Sequence, residues 1–211
     1  LLSYQIVIGI IIAYLLGSIP TAVWVGKAFY KLDVRDHGSG NAGATNVVRV
    51  LGWKAGIPVM LVDIIKGWFA VWLGTRLFGG YADPLWIESF RIGMALAAVL
   101  GHVYPVFAGF RGGKGIATLL GVGIALYPVS IWVPFGLFFL VLFATGYVSV
   151  SSMIAAGTFW LVDIFLFRQE HIPLIVLSVF IGIFVLYTHR NNIQRLIKRE
   201  EPRFLYGSRK K

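Results

Sequence analysis

Long apolar runs separated by short polar breaks set the pattern of this chain. They fall at about 2–26, 55–78, 85–108, 116–127, 128–146, 150–168 and 171–189. A hydrocarbon core of roughly 30 Å needs a helix of about 20 residues, and most of these runs supply one. The run 116–127 does not: at about 1.5 Å per residue it reaches about 18 Å. It reads as a short helix buried among others, or as half of a broken span ending at Pro128, since backbone is interrupted at membrane depth only where protein or water covers it. The pattern predicts an all-α polytopic membrane protein of about seven helices, one of them short. The count falls to six if 116–146 forms a single kinked element.

Composition agrees. Hydrophobic residues make up 58% of the chain and charged residues only 13%, more apolar surface than a soluble chain of this length can hide. The formal charge of +10 raises the question of nucleic acid. No basic helix or aromatic RNA motif accompanies it, so no nucleic-acid partner is expected and membrane topology is the better explanation. Basic residues concentrate in 27–54 (Lys27, Lys31, Arg35, Arg49, Lys54), in 109–114 (Arg111, Lys114) and after Tyr187 (Arg190, Arg195, Lys198, Arg199, Arg203, Arg209, Lys210, Lys211). The opposite loops carry Arg76, Asp83, Glu88, Arg91, Arg168 and Glu170, which nearly balance. By the positive-inside rule the N-terminus lies outside and the C-terminus inside. The first segment lacks a basic n-region and a cleavage site, so it is read as a span rather than a removable signal. One membrane-embedded domain, 1–211, is expected, with a basic cytoplasmic tail over about 190–211. The chain has no cysteine, which excludes disulfides and thiolate chemistry. No Asp, Glu or His cluster has metal-ligand spacing, and no cofactor is expected.

Candidate chemistry gathers in two glycine-rich stretches at the edge of the membrane. The first is Gly38-Ser-Gly-Asn-Ala-Gly-Ala-Thr-Asn-Val-Val-Arg-Val-Leu-Gly52. Ser39 or Asn41 is placed to cap a short helix running through Val47 to Leu51. Free amides at a helix start attract anions, and the planar fork of Arg49 suits a phosphate. The second is Gly109-Phe-Arg-Gly-Gly-Lys-Gly115, whose amides and Lys114 are expected to cradle a phosphate as a backbone nest. It departs from the P-loop pattern, because Gly115 stands where Ser or Thr would follow the lysine. The plain alternative for both is a tight turn with solvated cations. Their joint presence favours phosphate binding.

Three other polar groups stand out. Asp63 and Lys66 share a helix face at i, i+3, inside a span where ionisable residues are functional candidates by default. An ion pair that simply holds helices together is the competing reading, and Gly67 beside it permits close helix approach. Thr145-Gly-Tyr-Val-Ser-Val-Ser-Ser152 is an uncharged inner turn whose serines are read as helix caps that can also offer hydroxyls to a ligand. His189 and Asn192, at i, i+3, end the last helix on one face. His102 and Pro105 are ambiguous, and Asp163 is read as structural or interfacial.

A His-x-x-x-x-Asp dyad and a Gly-x-Ser-x-Gly elbow are both missing. An enzyme built on this chain would work by binding, orientation and charge stabilisation. The motifs Gly17-Ser-Ile-Pro20, Gly38–Gly52, Asp63-Ile-Ile-Lys-Gly67, Gly101-His-Val-Tyr-Pro105, Gly112-Gly-Lys-Gly115, Tyr147-Val-Ser149 and His189-Arg190-x-Asn192 resemble the bacterial integral-membrane acyl-phosphate:glycerol-3-phosphate acyltransferases (the PlsY family), over nearly the whole chain. The resemblance implies transfer of a fatty acyl group from acyl phosphate to the 1-hydroxyl of sn-glycerol 3-phosphate, the first step of bacterial phospholipid synthesis. Lysophosphatidate and phosphate are the products, and no covalent enzyme intermediate forms. It implies a site facing the cytoplasm from the inner membrane, membrane lipid as surroundings, and a link to a soluble enzyme that makes acyl phosphate. His189, Lys114 and Arg49 become catalytic candidates. Ser39, Gly40, Asn41, Thr45, Asn46, Arg49, Lys66, Gly112, Gly113, Lys114, Ser149, His189 and Asn192 become substrate-binding candidates. The alternatives are a membrane transporter of phosphate or organophosphate, which should carry an inverted repeat and a midplane site, and a scaffold protein, which needs none of these motifs.

Overall fold

A computed structural model describes residues 2–78 and 83–205. The basic residues Arg209, Lys210 and Lys211 of the expected tail lie outside the described residues. The described chain is all helical, with no strand among the described residues: α1 (Leu2–Gly17), α2 (Thr21–Tyr30), α3 (Ala44–Leu51), α4 (Trp53–Phe78), α5 (Pro84–Val103), α6 (Ile116–Leu126), α7 (Trp132–Thr145), α8 (Val148–Leu161), α9 (Ile172–Thr188) and α10 (Arg190–Ile197). They form two units that meet in the chain at Tyr127–Pro128. Among the described residues, four helical stretches are long and apolar enough to cross a membrane: Tyr4–Tyr30, Trp53–Leu77, Pro84–Ala108 and Val148–Leu166. Ile172–Thr188 joined to Arg190–Ile197 makes a fifth, bent by 56°. The helices α6 and α7 are shorter. Tyr127–Ile131 separates them, so 116–146 is two helices and not one kinked element.

In the first unit α4 packs against α5 and α6, and α1 against α5. The outer stripe of α4 is apolar: Ile57, Leu61, Ile65 and Trp68 are all exposed. Its inner stripe, Val59, Asp63, Lys66 and Ala70, is buried. Polar residues inside and apolar residues outside is the arrangement a lipid solvent demands. Gly67 permits the tight fit of α4 on α6: a Cβ there would collide with the Thr118 carbonyl oxygen.

The first apolar run is not continuous. Ser18-Ile-Pro20 breaks it into α1 and α2, because Pro20 has no N–H to give and disfavours helix before it. At the break the Ile19 carbonyl accepts from the Thr21 amide at 3.0 Å and from Lys66 Nζ at 3.0 Å. The same ammonium lies 2.8 Å from Asp63 Oδ1, which also accepts from Thr21 Oγ1 at 3.4 Å. The buried pair therefore satisfies the broken backbone and joins α2 to α4. Lys66 was expected at the phosphate site. Its ammonium pairs here with Asp63 and the Ile19 carbonyl.

In the second unit α7 packs on α8 and α8 on α9, with Leu140, Phe143 and Ile183 facing outward. Asp163 is buried on a π-helical turn, Val162–Leu166, and accepts a bond from Ser130 Oγ at 3.0 Å. That fits its structural reading. Beyond α9 the chain does not trail away as a simple tail. It turns into α10 and then folds back, with Phe204 N–H donating to the Gly146 carbonyl at 2.7 Å.

Candidate active site

The first glycine-rich stretch is organised by one buried side chain. Asn46, 1% exposed, accepts from the Ser39 amide at 2.8 Å and donates to the Val34 and His37 carbonyls at 2.8 and 3.0 Å. An amide side chain here does the work of a strand partner, satisfying backbone groups that a loop would otherwise bury unpaired. Gly38 and Gly40 take left-handed backbone (φ +62° and +71°), and the Gly40 amide closes a turn onto the His37 carbonyl at 3.1 Å. Asn46 and Gly40 thus build the loop. The expected cap of α3 is also corrected: Gly43 occupies the N-cap with no side-chain bond, not Ser39 or Asn41. The α3 start still carries helix amides without intrahelical partners. Thr45 stands in its first turn, and Arg49 lies one turn further along the same face. Ser39, Asn41 and Thr45 are partly buried and Arg49 is exposed.

The second stretch differs from the expected nest. The Gly112 amide donates to the Val103 carbonyl and the Gly113 amide to the His102 carbonyl, both at 3.2 Å. Those N–H groups hold the loop against the end of α5 and have no hydrogen left for phosphate. A Cβ on Gly112 would collide with the His102 carbonyl oxygen, and one on Gly113 with His102 Nε2. The glycines are there for closeness. The anion-attracting elements of this loop are therefore Lys114, partly buried, and the amides that open α6 after Gly115 (φ +83°).

Sequence reasoning did not anticipate that the segment leading into the first loop is fastened to the second. Arg35 Nη1 donates to the Ala108 carbonyl at 2.7 Å and to the Arg111 carbonyl at 3.2 Å. Its Nε and Nη2 grip Asp33 in a two-pronged bond of 2.9 and 2.7 Å. Hydrogen bonding to Arg35 holds the Asp33 carboxyl well below the ordinary carboxylate range, and the same bond raises the Arg35 guanidinium. Arg35 looked like any positive-inside cation. Behind the second loop, His102 is buried with Nδ1 3.6 Å from Asp63 Oδ1.

The second unit assembles its own polar cluster around another residue that sequence reasoning missed. Glu201 Oε1 accepts from Ser149 Oγ at 2.7 Å and from Asn192 Nδ2 at 2.6 Å, and Oε2 accepts from Arg195 Nε at 2.8 Å. Burial opposes ionisation of Glu201, but these donors outweigh it and leave its pKa below the usual value. Ser149 therefore meets Glu201, and the serines are not caps of α8: Ser151 and Ser152 donate to carbonyls one turn back, and the N-cap Tyr147 makes no side-chain bond. His189 is 2% exposed and joins α9 to α10. Its Nδ1 lies 2.8 Å from the Val185 carbonyl. A carbonyl only accepts, so the neutral ring carries its hydrogen on Nδ1, and Nε2 is the lone-pair nitrogen.

These features define an integral-membrane helical protein with glycine-rich loops clasped beside two helix starts. The glycerol-3-phosphate acyltransferase family profile matches residues 7–199, and the chain belongs to that family. A glycerol-3-phosphate acyltransferase of Bacillus cereus (strain G9842) is 46% identical, covering 95% of this chain and 96% of the relative. One from Fusobacterium nucleatum is 41% identical over 93% and 97%. Among solved structures, PlsY (YgiH), an integral membrane glycerol 3-phosphate acyltransferase, matches in its glycerol 3-phosphate form with a TM-score of 0.82 and 38% identity, over 94% of each chain. Its lysophosphatidic acid form matches with a TM-score of 0.80 and 37% identity. Among the described residues no cluster of three or more His, Asp or Glu is arranged to hold a metal ion.

Proposed function

We propose that this protein transfers a fatty acyl group from acyl phosphate to the 1-hydroxyl of sn-glycerol 3-phosphate, releasing lysophosphatidate and phosphate. The observation that carries the reading is the match over 94% of the chain to a PlsY structure in a glycerol 3-phosphate form. The acyl phosphate donor is supported by chemistry. It is a mixed anhydride, already activated, and asks the protein for alignment and charge rather than a nucleophile. Alignment of two bound reactants can remove about 7–11 kcal/mol of barrier. In the direct reaction the acceptor oxygen attacks the acyl carbon, the bond from that carbon to the phosphate oxygen breaks, and the hydroxyl proton passes to a phosphate oxygen.

The proposed roles follow the geometry. In the first unit Ser39, Asn41, Thr45 and Arg49 at the α3 start, and Lys114 at the α6 start, hold phosphate. Asn46, Gly40, Gly112 and Gly113 shape the loops, and Lys66 stays with Asp63. In the second unit His189 accepts a hydrogen bond from the acceptor through Nε2 and orients it, while Ser149 and Asn192 supply polar groups steadied by Glu201. The chain acts as one membrane-embedded acyltransferase domain with about seven transmembrane helical segments in a bacterial cytoplasmic membrane. Its N-terminus lies outside, its C-terminus and reacting groups face the cytoplasm, and a soluble enzyme supplies acyl phosphate. Detergent-purified protein given acyl phosphate and glycerol 3-phosphate should form lysophosphatidate with no other protein present. Efficient turnover with acyl-CoA and none with acyl phosphate would overturn the donor. A single cysteine at Ser39 should be labelled only from the cytoplasmic side, and labelling only from outside would reverse the orientation.

A further inference from the structure

We propose that Asp33 and Arg35 are positioning residues that clasp the two glycine-rich loops, and that the clasp sets the alignment of the two phosphate-bearing substrates. The alignment part rests on the function proposed above.

Every nitrogen of the Arg35 guanidinium is occupied. Nε and Nη2 hold the two oxygens of Asp33, and Nη1 holds the carbonyls of Ala108 and Arg111, 73 and 76 residues away in the chain. The Arg35 side chain is 14% exposed, as is Asp33. Asp33 also accepts from the Arg35 amide at 3.0 Å, closing the short turn Val34–Asp36, and Lys27 lies 3.3 Å from it. Four of the five guanidinium N–H groups are engaged within the fold, so Arg35 serves the loops themselves. Between the two carbonyls that it holds, Gly109 and Phe110 both adopt left-handed backbone, with φ of +63° and +59°. That conformation is strained for phenylalanine, and such strain persists where surrounding contacts over-determine it. Phe110 is 59% exposed, so packing of its own ring does not supply that restraint. The Phe110 amide, bonded to the Pro105 carbonyl at 2.9 Å, and the flanking bonds from Arg35 supply it together.

The consequence is geometric. The first loop leads into α3 and the second into α6, the two helix starts proposed to hold phosphate. Arg35 fixes the separation of their leading loops from a single rigid fork. Lysine cannot reproduce this, because one ammonium cannot grip a carboxylate in two places and also bridge two carbonyls. A misplacement of about 1 Å between reacting groups can cost about a hundredfold in rate. Loss of the clasp should therefore act on kcat more than on the affinity for either substrate.

The test separates the clasp from the chemistry. The chain has no native cysteine, so His37→Cys and Phe110→Cys can carry a pair of nitroxide labels in the purified full-length protein. Arg35→Gln should lengthen or broaden the label-to-label distance distribution. An unchanged distribution overturns the clasp. In unlabelled protein, Arg35→Gln should lower kcat by about tenfold to a hundredfold while the KM for glycerol 3-phosphate moves less than about threefold. A rise in KM at full kcat would overturn the alignment role. Activity of Arg35→Ala should be partly restored by millimolar guanidinium ion and not by methylammonium, and equal rescue by both would also count against it. If Arg35→Gln fails to fold, Asp33→Asn removes the anchor and leaves the carbonyl bonds, and it should give the same kcat loss in smaller measure. Wild-type protein inactive with both substrates would defeat the proposed function and leave the distance result standing.

Discussion

The two glycine-rich loops have similar composition and are built on different physics. In the first, Gly40 is required for its backbone angle: its φ is +71°, and the nearest atom to an added Cβ, the Arg35 carbonyl oxygen, would be 3.5 Å away. In the second, Gly112 and Gly113 are required for their missing volume, since the end of α5 fills the space that a side chain would take. The first loop is stitched by a side chain, Asn46. The second is stitched by its own amides. A run of glycines beside a cation is therefore not in itself a nest for phosphate. Where the glycine amides are consumed by the fold, the next available donors are the helix starts, here those of α3 and α6, to which the proposed function assigns phosphate.

The largest effect should come from Gly112→Ala, which pushes a methyl group into a backbone carbonyl. We expect a loss of about a hundredfold or more in kcat/KM, or failure to accumulate folded protein. Gly40→Ala makes only an ordinary contact, 3.5 Å from the Arg35 carbonyl oxygen, and should cost only the left-handed strain, about 1–2 kcal/mol. Thermal melting in detergent and steady-state kinetics on both variants check the contrast, and equal damage would break it.

Arg49→Lys tests whether the α3 start handles phosphate as proposed. Lysine keeps the charge and loses the fork, so kcat/KM should fall by about tenfold or more, the scale of one strong charge-assisted bond. Lys114→Ala should likewise impair turnover at normal membrane insertion. Full activity with unchanged KM values would confine phosphate binding to other groups.

His189 lies outside both loops and serves as the reference point. With Nε2 accepting from the 2-hydroxyl of the acceptor and a substrate phosphate taking the 1-hydroxyl proton, His189→Asn should raise the KM for glycerol 3-phosphate and keep a measurable kcat. General-base catalysis by a side chain is worth about 10²–10⁴-fold. A collapse of kcat by that amount at saturating acceptor, restored by imidazole, would make His189 the base.

The smallest effect concerns pH. The Asp33 carboxyl is held below its ordinary value of 3.8 by Arg35. A depressed folded pKa stabilises the fold above the unfolded value and loses that contribution as pH falls through the folded one. Wild-type protein should therefore melt above Asp33→Asn at neutral pH, with the gap constant down to the region of the ordinary value and closing only in stronger acid. A gap that closes above pH 5 would mean that Arg35 does not hold Asp33 as the structure has it.

The sequence alone determined the helical class, because apolar runs of span length leave a membrane chain little choice. It also determined the short helix at 116–126, the shared helix face of Asp63 and Lys66 and the position of both loops, all of which rest on local spacing. Tertiary structure decided what each polar group does. The apolar run over 2–26 reads as continuous, but Pro20 breaks it, and Lys66 reaches the Ile19 carbonyl from 47 residues away. Ser149, Asn192 and Glu201 look unrelated along the chain and share one carboxylate in space. Arg35 reads as a topology signal and acts as a clasp. The physical reason is common to all of these. Periodicity records which face of a helix is buried, whereas a hydrogen bond needs a partner within about 3 Å, and only the packed chain says which distant residue that partner is.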